Sequence, residues 1–326
     1  MSKAICFKEF GGPEVLCWQD MNVSEPGPGE VLIRHEAIGV NFIDIYQRNG
    51  LYKVSFPAIA GNEGAGVVEA AGEGVNLVKP GNRVAYAGSL GAYCEVRTIP
   101  ADRLCILPEE LTFEQGAAMM LKGLTVQYLI RRTYNVQKGD TVVFHAAAGG
   151  VGVIACQWLK ALGARVIGTA GSTEKCELAM RNGADFCINY RTENVADRVK
   201  EITNGEGVPV VYDSVGKDTF ETSLKCLRPF GLLVNFGNAS GAVPPFEPAI
   251  LAQHASLYLT RPTLATYTAK RSDLEQMSQE LFRMVQSGAV KIEINQRYQL
   301  SDAAQAHKDL EGRKTTGSSI LLPRLL

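Results

Sequence analysis

The sequence lacks long hydrophobic runs and has almost no net charge. No apolar segment reaches the roughly 18 residues that a membrane-spanning helix needs, and the N-terminal segment lacks the apolar stretch of a signal peptide. Lysine and arginine total 33 against 34 aspartate and glutamate, so the formal net charge is −1. That balance provides no basic patch for nucleic acid or anionic membranes. We expect a cytoplasmic protein.

Closely spaced cysteine pairs are also missing. A zinc cluster or a disulfide framework would need such pairs, and none of the eight cysteines forms a C-x-x-C motif. Most lie in apolar segments, so we interpret them as buried thiols in a reducing compartment. We therefore expect no bound metal.

The composition is that of an ordinary globular protein. Of the 326 residues, 46% are hydrophobic and 21% are charged, which is typical of soluble domains. A chain of this length is expected to form two domains. We find no internal repeat and no low-complexity segment.

The most informative stretch runs from Val142 to Gly152. It has a short apolar strand, a turn of small residues, and the start of a helix that ends near Gly163. Ala146, Gly149 and Gly152 have the spacing of a dinucleotide-binding fingerprint, with alanine in the first place. Such a turn lets backbone N–H groups at the helix N-terminus approach a pyrophosphate. We predict a dinucleotide site here.

From Thr141 onward, apolar strand-like runs alternate with helical patterns. This alternation predicts a doubly wound parallel sheet of the Rossmann type, with helices on both faces. The predicted strands are Thr141–His145, Arg165–Thr169, Phe186–Tyr190, Val208–Asp213, Leu232–Phe236 and Ser256–Thr260. The fold class is therefore α/β.

The first part of the chain has a different pattern. Short strand-like runs, such as Glu30–Ala37 and Arg83–Tyr86, are separated by Gly, Pro and Asn. This pattern predicts a mainly β, barrel-like module. Because the last third does not continue the βα alternation, we expect it to rejoin that module. The predicted domains are 1–123 with 265–326, and 124–264.

The end of the second predicted Rossmann strand distinguishes the two nicotinamide cofactors. NAD enzymes usually carry Asp or Glu there to bind the ribose 2′-hydroxyl, whereas this sequence has Gly171 and Ser172. Lys175 can supply positive charge to a 2′-phosphate, and Glu174 is expected to point elsewhere. We predict NADPH as the cofactor, with Tyr190 near the adenosine phosphate.

Taken together, several motifs resemble the zinc-free quinone oxidoreductases related to zeta-crystallin, within the medium-chain dehydrogenase/reductase superfamily. The resemblance runs essentially from end to end. It is carried by Asn41–Asp44 with Tyr46, Leu121–Thr125, His145–Gly152, Tyr212–Gly216, Phe236–Asn238 and Gly317–Ser319. It implies a GroES-like catalytic domain beside the Rossmann domain, with cofactor and quinone in the cleft between them.

The resemblance also explains the expected absence of metal. Zinc enzymes of the superfamily place Cys and His at the positions of Asn41 and Asn62, and amides are poor zinc ligands. The segment Tyr86–Tyr93 has no cysteine to match their structural-zinc loop. Quinones are already electrophilic, so their reduction by NADPH mainly requires positioning. Glu63 matches an acidic residue of the superfamily, for which we expect a structural role.

The family comparison implies a set of site residues. Asn41 and Tyr46 would border the nicotinamide and the substrate, and Tyr52 is a candidate for the pocket wall; these three are the predicted catalytic residues. The predicted cofactor-binding residues are Asn41, Tyr46, Thr125, Gly150, Val151, Gly152, Ser172, Lys175, Tyr190, Ser214, Phe236, Gly237, Asn238, Thr260, Arg261 and Arg313.

Two alternatives differ from quinone reduction. A reductase of enones or enals in the same superfamily would also need NADPH and no metal. Some zeta-crystallin relatives are structural lens proteins or bind AU-rich RNA, but no basic strip with interspersed aromatic residues supports RNA binding here. The resemblance also implies an oligomeric state. Relatives pair the last Rossmann strand across a two-fold axis, which implies a homodimer through Ser256–Thr260.

Overall fold

The computed structural model describes residues 2–324, which form two compact units. The first unit contains residues 2–124, 268–282 and 292–324, and the second contains residues 125–267 and 283–291. The segment 283–291 lies in the second unit, where the Lys291 N–H donates to Gln157 Oε1 at 2.7 Å and Gln157 Nε2 donates back to the Lys291 carbonyl at 3.0 Å.

The elements are numbered in chain order. The strands are β1 Ser2–Phe7, β2 Cys17–Met21, β3 Glu30–Val40, β4 Ala58–Ile59, β5 Glu63–Ala71, β6 Arg83–Ala87, β7 Val96–Pro100, β8 Cys105–Ile106, β9 Thr141–Phe144, β10 Arg165–Ala170, β11 Phe186–Asn189, β12 Val208–Asp213, β13 Leu227–Asn235, β14 Tyr258–Thr260, β15 Ile294–Gln299 and β16 Ser318–Leu322. The α-helices are α1 Phe42–Arg48, α2 Phe113–Tyr128, α3 Gly150–Ala161, α4 Thr173–Arg181, α5 Val195–Ile202, α6 Phe220–Cys226, α7 Ala249–Gln253, α8 Leu264–Tyr267, α9 Arg271–Gln286 and α10 Ala303–Glu311.

The second unit is built on a parallel sheet with the strand order β11-β10-β9-β12-β13-β14. This is the Rossmann order, in which the chain starts in the middle and winds to each side in turn. The predicted doubly wound sheet is therefore confirmed. The direction of winding reverses between β9 and β12, and ligands of such sheets bind at the carboxyl ends of the strands at this point.

The first unit is mainly antiparallel. One sheet has the order β15-β16-β3-β5-β6-β8, with β7 also paired to β3, and a smaller sheet has the order β2-β1-β4. The C-terminal strand β16 pairs antiparallel with β3, so the end of the chain completes the first sheet as expected. This arrangement confirms the prediction of a mainly β module.

Each unit has its own buried core. In the first unit, Ile33, Ile38 and Val84 belong to a cluster of fully buried apolar side chains. In the second, Val143 and Val211 lie in a cluster formed by the central strands and the covering helices. Burial of this apolar surface is the main stabilising contribution in both units.

Two expectations from composition can be compared with the structure. All eight cysteines lie within the described residues as free thiols; six are buried, Cys187 is partly buried and Cys17 is exposed. Across residues 2–324, no helix has both the length and the hydrophobicity to cross a membrane.

Candidate functional site

The turn between β9 and α3 has the shape that a dinucleotide phosphate requires. Ala146 adopts a left-handed conformation with φ of 54°, and Gly149 is the N-cap of α3. A Cβ on Gly152 would lie 2.4 Å from the Ala146 carbonyl oxygen and 2.6 Å from the Ala147 carbonyl carbon. Glycine is therefore required at this position. The first N–H groups of a helix have no intrahelical partner and attract anions.

A buried polar cluster braces the strands beneath this turn. His145 Nδ1 lies 2.9 Å from Thr169 Oγ1, and its Nε2 lies 3.0 Å from Ser223 Oγ. Ser223 Oγ donates its only proton to Asp213 Oδ2 at 2.9 Å. The serine oxygen therefore accepts from His145 Nε2–H. Burial lowers the pKa of His145, so the imidazole is a neutral structural link between β9, β10 and α6.

The residues predicted for the 2′-phosphate lie together after β10 and β11. Gly171 makes room for Tyr190, since a Cβ on Gly171 would lie 2.5 Å from the tyrosine hydroxyl oxygen. Ser172 caps α4 by accepting from the Lys175 N–H at 3.3 Å. A hydrogen bond from the Ser172 side chain lowers the pKa of the neighbouring Glu174 carboxyl.

A second group of predicted residues surrounds the ends of β12, β13 and β14. Asp213 accepts from the N–H groups of Val215 and Gly216 and so fixes the turn that contains Ser214. A Cβ on Gly237 would lie 2.4 Å from the Ser214 carbonyl oxygen, so the two backbones are in close contact.

The side chains at this edge are also joined. With the Asn238 amide oriented to match donors with acceptors, its oxygen accepts from Arg261 Nη2 at 3.2 Å. Arg261 Nη1 donates to the Asn235 carbonyl at 3.2 Å. Phe236 directly follows β13, and Thr260 is the last residue of β14. Thr125 is buried on α2.

In the first unit, the predicted residues cluster around helix α1. Asn41 is its N-cap, and Tyr46 lies on the helix with 8% of its surface exposed. The Tyr52 N–H donates to the Tyr46 carbonyl at 2.8 Å, and the two rings pack edge to face with centroids 5.3 Å apart. Arg313 lies on an exposed turn after α10, with a left-handed φ of 57°.

The Asn41 side chain is held by a buried charged pair. Its Nδ2 donates to Glu63 Oε2 at 2.8 Å, and Lys122 Nζ donates to the same oxygen at 3.3 Å. The other carboxylate oxygen, Glu63 Oε1, accepts from the Leu121 N–H at 2.8 Å. Gly39 leaves the space, since a Cβ there would lie 2.2 Å from Glu63 Oε2.

A second buried network begins at Asp44. Its carboxylate accepts from the Asn41 N–H at 2.8 Å, from Asn62 Nδ2 at 2.7 Å and from the Tyr93 hydroxyl at 2.9 Å. Burial raises the pKa of Asp44 to about 6, although these hydrogen bonds oppose the shift. Tyr93 also contacts His307 Nε2 at 3.0 Å, and burial lowers the pKa of that imidazole to about 3. The start of α1 is thus fixed from the protein interior.

Comparison with known proteins gives a consistent result over the whole chain. Residues 27–130 match the family of alcohol dehydrogenase GroES-like domains, and residues 150–283 match the family of zinc-binding dehydrogenases. The chain is 55% identical to a quinone oxidoreductase of Pseudomonas aeruginosa over 99% of this chain and 100% of that protein.

The chain belongs to the quinone oxidoreductase family of the medium-chain dehydrogenase/reductase superfamily.

Two further relatives bear on the chemistry of this family member. The crystal structure of Escherichia coli quinone oxidoreductase complexed with NADPH superposes with a TM-score of 0.97 at 50% identity, covering 98% of this chain and 100% of that one. A 2-haloacrylate reductase from a Burkholderia species is 43% identical over 99% of this chain and 100% of that protein.

The family name "zinc-binding dehydrogenase" does not match the donors found here. Asn41 and Asn62 present amides, and both amide nitrogens donate to carboxylates, so these groups are engaged as donors and poorly suited to Zn²⁺. Among the described residues, no group of three or more His, Cys, Asp or Glu side chains is arranged to hold a metal ion.

Lys122, Tyr93 and His307 were not predicted from the sequence as members of these networks. Lys122 carried a usable signal, because it interrupts the apolar run of Met119, Met120 and Leu121, and a lysine in a buried helix is almost always paired. Tyr93 and His307 are 214 positions apart in sequence, and neither belongs to a motif.

Proposed function

We propose that this family member is an NADPH-dependent quinone reductase. The observation that carries the proposal is the full-length likeness to quinone oxidoreductases, one of them solved with NADPH. The composition of the 2′-phosphate cluster agrees with it, since Gly171 and Ser172 replace the acidic residue of NAD enzymes. We also propose that residues 1–123 with 265–326 form the catalytic domain and residues 124–264 the cofactor-binding domain, the segment 283–291 of the former lying in the second compact unit.

The described residues fit this cofactor. The close packing of Gly152 against the Ala146 carbonyl leaves the N-terminus of α3 accessible to a pyrophosphate, which Gly150, Val151 and Gly152 would hold. Ser172, Lys175 and Tyr190 would hold the 2′-phosphate, with Lys175 supplying positive charge.

The remaining proposed cofactor contacts are those that the family resemblance implies. The nicotinamide half would be held by Thr125, Ser214, Phe236, Gly237, Asn238, Thr260, Arg261 and Arg313. We propose that Asn41 and Tyr46 border the nicotinamide and the quinone, with Tyr52 at the pocket wall. These contacts place donor and acceptor for direct transfer.

The bound cofactor supplies a hydride to an electron-poor acceptor. The tasks of the protein are then to orient the acceptor and to support the charge that develops on its oxygen. The Tyr46 hydroxyl can donate a hydrogen bond to a quinone oxygen, and donors positioned at such an oxygen stabilise developing negative charge. The final proton comes from water or a hydroxyl group.

One observation favours a second candidate, the reduction of activated double bonds. The 2-haloacrylate reductase is a full-length relative, although less similar than the quinone oxidoreductase of Pseudomonas aeruginosa. Its name describes the reduction of a conjugated acrylate, which also accepts a hydride without needing a metal. A conjugated enone or enal would be the corresponding substrate class here.

The proposal predicts substantial turnover of quinones by metal-stripped protein. We expect 1,4-benzoquinone or 1,2-naphthoquinone to be reduced with NADPH, with NADH a much poorer donor. A 2-alkenal assayed in parallel tests the second candidate. Activity that disappears with chelator and returns with zinc would contradict the metal-free mechanism, and activity on the alkenal alone would replace the quinone assignment.

We further propose a cytoplasmic homodimer. Free thiols at all eight cysteines, all of them described, suit a reducing compartment. Strand β14 ends the strand order of the parallel sheet, and Tyr258 on it is 61% exposed; edge strands of this kind pair readily with a second copy. Light scattering should give twice the chain mass of 35.3 kDa. A monomer at micromolar concentration would contradict the dimer.

A further inference from the structure

The Asn41 carboxamide donates to one carboxylate, and the capping box at the start of α1 also pairs this side chain with the Asp44 backbone. Its Nδ2 faces Glu63 Oε2 at 2.8 Å, and the Asn41 backbone N–H is separately anchored to Asp44 Oδ2 at 2.8 Å. Glu63 is completely buried. A change at Glu63 can therefore displace the Asn41 carboxamide, while the Asn41 backbone N–H remains bonded to Asp44.

Glu63 has to accept hydrogen bonds on both of its oxygens. One accepts from the Leu121 N–H at 2.8 Å, and the other accepts from Asn41 and Lys122. A glutamine has the same shape but only one acceptor oxygen. Because the Leu121 N–H belongs to the backbone of α2 and cannot turn around, a glutamine would satisfy Leu121 and present its NH₂ to Asn41. The Asn41 amide would then have to reverse or move.

Lys122 completes the arrangement. An isolated buried carboxylate is strongly disfavoured, and Lys122 provides the compensating charge with only 7% of its side chain exposed. Gly39 on the neighbouring strand leaves the volume that the carboxylate occupies. Glu63, Lys122 and Gly39 lie on β5, α2 and β3, so three elements converge on one side-chain amide.

We propose that the Glu63–Lys122 pair is a positioning device that holds the Asn41 carboxamide in one orientation for the reaction. The inference rests on the proposed function, in which Asn41 borders the nicotinamide and the substrate. The pair acts through Asn41 and does not itself touch the substrate. A neutral replacement of Glu63 with the same shape preserves the packing around position 63 but no longer orients the Asn41 carboxamide.

The test is steady-state kinetics of Glu63→Gln with NADPH and 1,2-naphthoquinone. Misplacing a positioning group by about 1 Å can lower the rate on the order of 10²-fold, so we expect kcat to fall by up to that factor. The KM for NADPH should change less than about twofold. The isotope effect on kcat with C4-deuterated NADPH should increase, because hydride transfer becomes slower relative to product release.

The matched control is Glu69→Gln on the same strand, where the carboxylate pairs with Arg34 near the surface. It should retain the parent kcat. A second variant, Glu63→Gln with Lys122→Met, removes both charges together and avoids an unpaired buried lysine. It should lose turnover like Glu63→Gln, since the single amide oxygen that faces the Leu121 N–H still leaves no acceptor facing Asn41 Nδ2.

Several results would overturn the inference. One is parental turnover in either Glu63 variant. Another is a loss of activity that matches the loss of folded protein, with kcat per active site and the isotope effect unchanged. The ¹⁵N–¹H resonances of the Asn41 carboxamide, assigned by their loss in Asn41→Asp, give a readout that does not require activity. If the unsubstituted protein reduces no quinone, the proposed function fails, and an unshifted Asn41 signal in Glu63→Gln would refute the positioning role independently.

Discussion

Gly152→Ala is expected to weaken the binding of NADPH and NADH alike, on the order of 10²-fold. The added Cβ would lie 2.4 Å from the Ala146 oxygen and 2.6 Å from the Ala147 carbon, and both are backbone atoms that cannot yield without opening the fingerprint turn. Overpacking of this kind costs about 1–3 kcal/mol. Displaced N–H groups lose charge-assisted hydrogen bonds to the pyrophosphate. Fluorescence titration with both cofactors, together with thermal unfolding, measures the two effects.

The control for this substitution is Gly149→Ala, three residues earlier in the same turn. There a Cβ would lie 3.3 Å from the Ala146 oxygen, and the φ of −81° suits alanine. We expect the affinity for both cofactors to fall only a few-fold. Equal effects of the two substitutions, or a Gly152→Ala protein that binds NADPH normally, would show that the close approach at Gly152 is unimportant for the cofactor.

Lys175→Ala is expected to weaken the binding of NADPH about 30-fold. The dissociation constant for NADH should stay within about twofold of its parental value. A hydrogen bond to a charged group contributes about 2 kcal/mol, and only NADPH carries the 2′-phosphate that would receive it. The substitution keeps the backbone N–H that donates to Ser172 Oγ, so the cap of α4 survives. Dissociation constants for both cofactors provide the measurement. Equal losses for both would refute the assignment.

Glu174→Gln provides the opposing control at the same helix start. The Glu174 carboxyl is bonded to Ser172, so its negative charge lies beside the proposed phosphate position. Removing that charge should strengthen the binding of NADPH about two- to five-fold, which corresponds to the interaction energy of an exposed charge pair. NADH should not respond. Tighter binding of both cofactors would contradict a specific effect on the phosphate.

Most of the fold was predictable because the sequence patterns agree with the final packing. Apolar runs such as Val208–Asp213 are buried on both faces and end at polar turns. Strand β13 is the exception, since it begins at Leu227 rather than Leu232. Residues 228–231 form a bulge in which Phe230 adopts a φ of 62°. The strand extends across this bulge because Leu227 pairs with Val208 before it and Leu232 pairs with Val210 after it.

The candidate site was predictable only in part. Ser172 and Tyr190 follow strands that are adjacent in the sheet, so the Rossmann order alone brings them together. Glu63 and Lys122 are 59 positions apart, and their pairing depends on how β5 packs beside α2. Sequence patterns record burial and periodicity but not such tertiary neighbours.

The missing Cβ at Gly39 has a consequence for how this family can diverge. The Glu63 carboxylate fills part of that volume, and the Ala117 carbonyl oxygen bounds it at 2.3 Å from the position of a Cβ. Shortening the residue at 63 would therefore not make room for a side chain at 39, so homologues that differ at 63 should keep glycine at 39. Directed evolution can vary position 63 but should leave glycine at 39 unchanged.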